Sequence, residues 1–252
     1  MIEINSLTVS YHRAPPVLKG ISLRVDRGEV VNVLGPNGCG KTTLLRALLG
    51  LLPVPSGSIV LDGCPLEKIG RRDLARSLAY VPQQHSGVFG FQVQDVVLMG
   101  RTARSPWLRF SAEDRERAMS ALEKVRLTHL AARSYLELSG GQRQMVLIAR
   151  ALAQDCAALV MDEPVTGLDY GNQFHLLDLI GDLASSGPAI LLTTHHPEQA
   201  VYLGGRAVLL KDGMLVADGP VASVITEEQV RMLYDLPPRA EVWMRLTGTS
   251  TA

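Results

Sequence analysis

Cysteine is scarce, net charge is absent, and no long apolar run exists. The 252-residue chain has three cysteines, Cys39, Cys64 and Cys156. Their spacing fits neither a metal site nor a disulfide framework, which predicts a reducing compartment. Twenty-five basic residues balance 25 acidic ones, for a formal net charge of +0. The strong basic field of a nucleic-acid binder is therefore not expected. No apolar stretch approaches the ~20 residues needed to span a bilayer. The first five residues, Met1-Ile2-Glu3-Ile4-Asn5, carry no signal-peptide pattern. The expectation is a chain soluble by itself that reaches a membrane only through a partner. At 46% hydrophobic and 20% charged, its length suits one large α/β domain or a domain with a subdomain.

One stretch organises the rest. Gly35-Pro36-Asn37-Gly38-Cys39-Gly40-Lys41-Thr42-Thr43 fits G-x-x-x-x-G-K-[ST], the phosphate-binding loop. An apolar run at 30–34 precedes it and reads as a buried strand. A helix-forming run at 42–49 follows it and stops at Gly50. Strand, glycine loop and helix are the order that phosphate binding needs. Gly38 and Gly40 let backbone approach an anion, and the new helix aims unpaired N–H groups at it. Lys41 offers a cation to the β- and γ-phosphates, and the Thr42 hydroxyl can ligate magnesium.

Polar residues recur at the ends of apolar strands. Residues 78–81 read as a strand followed by Gln83, either a solvated loop residue or an amide that reaches water or magnesium. Residues 157–161 read as a buried strand ending in Asp162-Glu163-Pro164. Asp162 can hold magnesium, and Glu163 can orient or deprotonate an attacking water. Residues 188–194 form a further strand, followed by His195 and His196; a histidine there can bond a γ-phosphate or the attacking water.

Elsewhere the periodicity changes. Residues 2–10, 21–25 and 58–61 alternate apolar and polar, which predicts an antiparallel layer beside the main sheet. Tyr11 closes the first of these, as an edge-strand aromatic or as a ring for a nucleotide base. Arg71, Arg72 and Arg76 lie on a helical stretch and read as a solvated face. From residue 85 to 138 the character is helical, with a capping box at Ser111 to Asp114. Phe89 and Phe91, flanked by glycines, either pack under their loop or await a partner. Leu138-Ser139-Gly140-Gly141-Gln142 opens another helix with Ser139 as its cap. It is either a plain N-cap or a second anion-ready terminus serving a nucleotide held by another copy. Asp212-Gly213 marks a hairpin, Thr226 to Gln229 a capping box, and Val242, Met244 and Leu246 a last strand.

Taken together, these motifs resemble the ATP-binding subunits of ABC transporters over nearly the whole chain. Residues 35–43 resemble Walker A, Gln83 the Q-loop, and Leu138 to Gln142 the LSGGQ signature. Residues 159–163 resemble Walker B with its catalytic glutamate, Gly167-Leu168-Asp169 the D-loop, and His195 the switch histidine. Tyr11 falls where that family stacks adenine. The resemblance implies a P-loop NTPase core with a mixed, mainly parallel sheet, an antiparallel N-terminal subdomain and a helical insert at about 84–138. It implies a single nucleotide-binding domain over 1–252, with a short extension from about 220. It implies ATP and magnesium as ligands, Lys41, Gln83, Glu163 and His195 as catalytic groups, and Thr42, Gln83 and Asp162 around the metal. Tyr11, residues 35–43, Ser139, Gly140, Gly141, Gln142 and Asp169 would bind nucleotide.

Two copies would sandwich two ATPs, each between one copy's Walker A and the other's signature. Permease subunits, and indirectly an extracytoplasmic binding protein, would complete an importer at the cytoplasmic face of the membrane, with no nucleic-acid partner. Within the family, residues 96–101 and 168–173 resemble importers of iron–siderophore, haem and cobalamin; molybdate and tungstate relatives share much of the pattern. Val165 stands where Thr is common, and His196 where Asp often follows the switch histidine. A non-transport ABC ATPase is disfavoured because there is one ATPase unit and no heptad arm before Leu138. A GTPase is disfavoured by the lack of an Asn-Lys-x-Asp run.

Overall fold

The computed structural model describes residues 1–12, 14–83, 90–105, 109–185 and 187–237. The expected last strand at Val242 to Leu246, and Phe89, lie outside them. Two sheets build the molecule. The smaller is antiparallel and consists of β1 (Ile2–Val9), β2 (Leu18–Val25), β4 (Ser56–Leu61) and β5 (Cys64–Pro65), in the order β2-β1-β4-β5. β1 buries Ile2 and Ile4, then Leu7 and Val9, each pair at the period of two; the register shifts between the pairs, where Ser6 takes φ 46°.

The larger sheet takes the order β10-β9-β3-β8-β7-β6. Its members are β3 (Val30–Leu34), β6 (Leu78–Val81), β7 (Ala158–Asp162), β8 (Ala189–Thr194), β9 (Arg206–Lys211) and β10 (Met214–Pro220). All neighbours pair parallel except the β9–β10 hairpin. Every residue of β3, β7 and β8 is buried, because both faces are covered. Val31, Val33, Val160 and Leu191 face α1 (Lys41–Leu48) and the small sheet. Leu159, Met161, Ile190 and Leu192 join the core beneath α5 (Gly140–Gln154) and α6 (Tyr170–Ser185).

Between β6 and α5 every described regular element is helical. The longest are α3 (Val93–Leu98) and α4 (Ala112–Lys124), with α2 (Arg71–Ser77) just before β6. The expected capping box is present: Ser111 accepts from the Asp114 N–H and Asp114 accepts from the Ser111 N–H. Asp114 is buried further by Arg101, whose Nε donates at 2.8 Å. The helices α7 (Pro197–Leu203), α8 (Val221–Val224) and α9 (Glu227–Tyr234) follow β8 and β10. Thr226 caps α9 by accepting from the Gln229 N–H. The expected box is incomplete, since the Gln229 Oε1 is buried without a hydrogen bond.

Register decides where the polar residues meet. Leu34 pairs with Thr194, Asp162 with Thr193, and Val81 with Met161. The C-terminal ends of four parallel strands are thus level, and the residues that follow them share one edge. Ligands of open α/β sheets bind at that edge.

Candidate nucleotide site

The phosphate loop follows β3 directly. Gly35 is required by close approach: a Cβ there would lie 2.2 Å from the Leu210 carbonyl oxygen and 2.6 Å from Cys39 Sγ. Gly40 precedes α1 at φ 115°, a left-handed conformation that side chains resist. The β9–β10 turn clasps the loop from outside, since the Gly213 N–H donates to the Cys39 carbonyl at 3.1 Å. Gly213 in turn accepts from the Lys19 N–H at 2.8 Å. Cys39 itself is buried, and burial pushes its thiol pKa up.

Lys41 is buried, and its Nζ donates to the carbonyls of Gly35 (2.6 Å) and Pro36 (3.2 Å). Across from it stands Glu163, just past the end of β7. Glu163 Oε2 accepts from Gln83 Nε2 at 2.7 Å and lies 3.1 Å from His195 Nδ1, the latter without hydrogen-bond alignment. Glu163 Oε1 lies 3.8 Å from Lys41 Nζ. Its backbone has φ 46°, an uncommon setting for a non-glycine residue. Its N–H is held by Thr193 Oγ1 at 3.0 Å. Three residues taken from three separate motifs, Lys41, Gln83 and His195, therefore converge on one carboxylate.

Asp162 is buried and tied to the neighbouring strand β8 and to the first turn of α1. It accepts from Thr193 Oγ1 at 2.6 Å and from Thr42 Oγ1 at 3.0 Å. The Thr42 hydroxyl and the Asp162 carboxylate thus present adjacent hard oxygens at the loop mouth. That donor set suits magnesium, which keeps most of its waters and takes few protein oxygens. Because Gln83 spends its amide N–H on Glu163, its carbonyl oxygen remains available to a cation or a water. Tyr11 is half-buried, and its hydroxyl sits 3.3 Å from Thr43 Oγ1 in the first turn of α1. The tyrosine is therefore beside the phosphate loop.

His196 stacks on His195, with ring centroids 4.1 Å apart and an interplanar angle of 39°. Its Nδ1 lies 2.9 Å from Glu198 Oε1, a bond that raises its pKa above the ordinary histidine value. His195, not His196, is the ring that reaches Glu163.

The signature segment lies apart from this cluster. Ser139 caps α5, accepting from the Gln142 N–H at 3.3 Å, and Gln142 Oε1 accepts from the Ser139 N–H at 3.0 Å. Ser139 and Gly140 are exposed. Gly141 backs onto the D-loop, where a Cβ would lie 3.3 Å from the Gly167 carbonyl oxygen. Asp169 is exposed and accepts from the Asn172 N–H at 2.9 Å. Among the described residues, no hydrogen bond or ion pair joins Ser139 to Gln142 with the phosphate loop. Sequence reasoning missed Thr193, Glu198 and the Gly213 clasp. Thr193 left a signal: two threonines end an otherwise aliphatic buried strand. The clasp left only its hairpin.

The family model described as ABC transporter matches residues 18–166. The hemin import ATP-binding protein HmuV of Nocardia farcinica is 39% identical, over 88% of this chain and 76% of that one. The molybdate import ATP-binding protein MolC of Haemophilus influenzae is 35% identical, over 94% of this chain and 88% of that one. Among solved structures, an inward-facing putative metal-chelate type ABC transporter superposes with a TM-score of 0.81 at 36% identity, covering 94% of this chain and 89% of that one. Matched motifs, strand order and relatives agree, and the chain belongs to the ABC transporter family as one of its ATP-binding proteins.

Proposed function

We propose that this chain is the ATP-hydrolysing subunit of a membrane importer, working as a pair of copies that share two nucleotides. The observation that carries this reading is the convergence of Lys41, Gln83 and His195 on Glu163 at the mouth of the phosphate loop. Lys41 turns from the Gly35 and Pro36 carbonyls to the β- and γ-phosphates. Thr42, Asp162 and Gln83 would hold magnesium, which would supply positive charge against the triphosphate oxygens. Glu163, buried and held by Gln83, takes the proton of the attacking water, and His195 steadies the γ-phosphate side. Tyr11 stacks on the base. The phosphate-loop backbone from Gly35 to Thr43 cradles the phosphates.

The second wall of each pocket comes from the other copy's Ser139, Gly140, Gly141 and Gln142, with Asp169 at the seam. An exposed, capped helix terminus that, among the described residues, makes no hydrogen bond or ion pair with its own phosphate loop supports this. The helical segment at about 84–138 carries closure from Gln83 to permease subunits at the cytoplasmic face of the membrane. Exposed Phe91 belongs to that docking region. Haem or iron–siderophore is the favoured cargo; molybdate is the second reading, since relatives named for hemin and for molybdate match at 39% and 35% identity. An extracytoplasmic binding protein would choose between them.

The test is reconstitution with the permease in vesicles loaded with ATP and magnesium. The expected result is ATP-dependent cargo entry that Lys41→Ala abolishes. Full hydrolysis and transport by Lys41→Ala would overturn the reading.

A further inference from the structure

Among the buried residues of α5, Gln144 alone is polar. It lies in the second turn of the helix and is 5% exposed. A buried amide costs free energy unless its hydrogens find acceptors. Here both do. Gln144 Nε2 donates to the Pro164 carbonyl at 3.2 Å and to the Pro82 carbonyl at 3.4 Å. An amide has two N–H donors, so the pair of carbonyls uses both.

Both acceptors adjoin the hydrolytic cluster. Pro82 precedes Gln83, and Pro164 follows Glu163. The β6–β7 ladder ends at the Val81–Met161 pair, and neither proline has an N–H with which to extend it. Beyond the ladder, side chains join the two chain ends: Gln83 reaches Glu163 at 2.7 Å, and Gln144 bridges the prolines. Glu163 needs such holding. Its φ of 46° is a setting that a non-glycine residue keeps only where its surroundings over-determine it. On one side its N–H donates to Thr193 Oγ1 at 3.0 Å, and on the other Gln144 grips the carbonyl of the next residue.

We infer that Gln144 is a positioning residue for ATP hydrolysis: by joining the Pro82 and Pro164 carbonyls it fixes where Gln83 and Glu163 stand against each other. The inference rests on the ATPase reading above. Helix α5 then serves both pockets. Its exposed end faces the other copy's nucleotide, and its buried second turn sets the geometry of its own Glu163.

The experiment measures turnover at saturating ATP by phosphate release, and the ATP dissociation constant by calorimetry, on full-length chains. Gln144→Met keeps the length of the side chain and removes both donors. Turnover is expected to fall about tenfold, within the ~10²-fold that misplacing a reacting group by about 1 Å can cost. The dissociation constant should stay at the wild-type value, because among the described residues no hydrogen bond joins Gln144 to the phosphate loop. In the Glu163→Gln background, Gln144→Met should cost nothing further, since it acts through the carboxylate already lost. Gln144→Glu, kept as the neutral acid by burial, retains one donor, and its turnover should fall between the native chain and Gln144→Met. Should Gln144→Met lose ATP binding, the fall in Gln144→Glu decides alone. Native turnover in Gln144→Met, a loss of turnover matched by a loss of affinity, additive losses with Glu163→Gln, or a Gln144→Glu chain no faster than Gln144→Met would each overturn the inference. Loss of ATP binding in both Gln144 variants would assign the amide to folding and overturn it too. If the native chain neither binds nor hydrolyses ATP, the ATPase reading itself fails; if it hydrolyses ATP and Gln144→Met does so equally fast, only the role of Gln144 fails.

Discussion

Replacing Glu163 with glutamine removes a charge and a base while keeping shape and volume. The carboxylate is buried, with Oε2 at 2.7 Å from Gln83 Nε2 and Oε1 at 3.8 Å from Lys41 Nζ. The amide keeps an oxygen for Gln83 to donate to, so the local fold should survive. Loss of a general base lowers turnover by about 10²–10⁴. That corresponds to roughly 3–5 kcal/mol on the barrier. Binding should move the other way. At 3.8 Å the gross attraction of Lys41 to Glu163 is roughly 4 kcal/mol for an effective dielectric of 20. The net share is much smaller, but it opposes transfer of Lys41 to phosphate, so ATP affinity should hold or rise in Glu163→Gln. Single-turnover phosphate release reports the first effect. Calorimetry and sizing with ATP report the second, as retained binding and a trapped dimer. Turnover within tenfold of wild type, or ATP affinity lost as in Lys41→Ala, would refute the assignment of Glu163.

Two further predictions concern stability and access. Asp114 is buried, which alone would raise its pKa, but Arg101, the Ser111 N–H and the Ser105 and Ser111 hydroxyls hold the carboxyl well below the ordinary range. Its contribution is therefore present above the unfolded value near ~4 and fades as pH falls through the lower folded value. Asp114→Ala should cost about 3–5 kcal/mol at neutral pH by urea unfolding, because it strands buried Arg101. The gap to wild type should shrink in acid, and Arg101→Met in the same chain should recover part of the loss. A cost under about 1 kcal/mol would contradict the buried pair. Cys39 Sγ fills the space against Gly35, so a group added to it has no room. Alkylation should be slow, since burial raises the thiol pKa, and each modified chain should lose ATP binding. Full ATPase activity after stoichiometric modification would contradict this.

Much of the site was legible because its parts are local. The phosphate loop needs glycine at fixed places and a lysine at the start of a helix, and those signals sit within nine consecutive residues. Glu163, His195 and Gln83 each follow a short apolar run, and parallel register brings the ends of such runs together. What the sequence concealed is long-range. The Gly213–Cys39 clasp joins a hairpin to a loop far earlier in the chain. Asn32 Nδ2 donates to the Gly204 carbonyl from inside a fully buried strand, a contact spanning 172 positions. The return of α9 to Leu34 follows from the packing of Val230 and Leu233, whose helical spacing says that one face is buried but not against what. Arg101 enters the sequence reading only as the end of the 96–101 segment, with nothing to pair it with Asp114, its buried partner in the fold.

The shared pocket itself is tested most directly by mixing two inactive variants. Lys41→Ala destroys the phosphate loop of its own copy, and Ser139→Ala the capped terminus offered to the other. In a mixed pair, one pocket carries both defects and the other carries neither. Equal mixing with random twofold pairing leaves about one quarter of all pockets intact. Measured ATPase activity should accordingly recover towards a quarter of wild type, while each variant alone stays inactive. No recovery at any mixing ratio would contradict a nucleotide held between two copies.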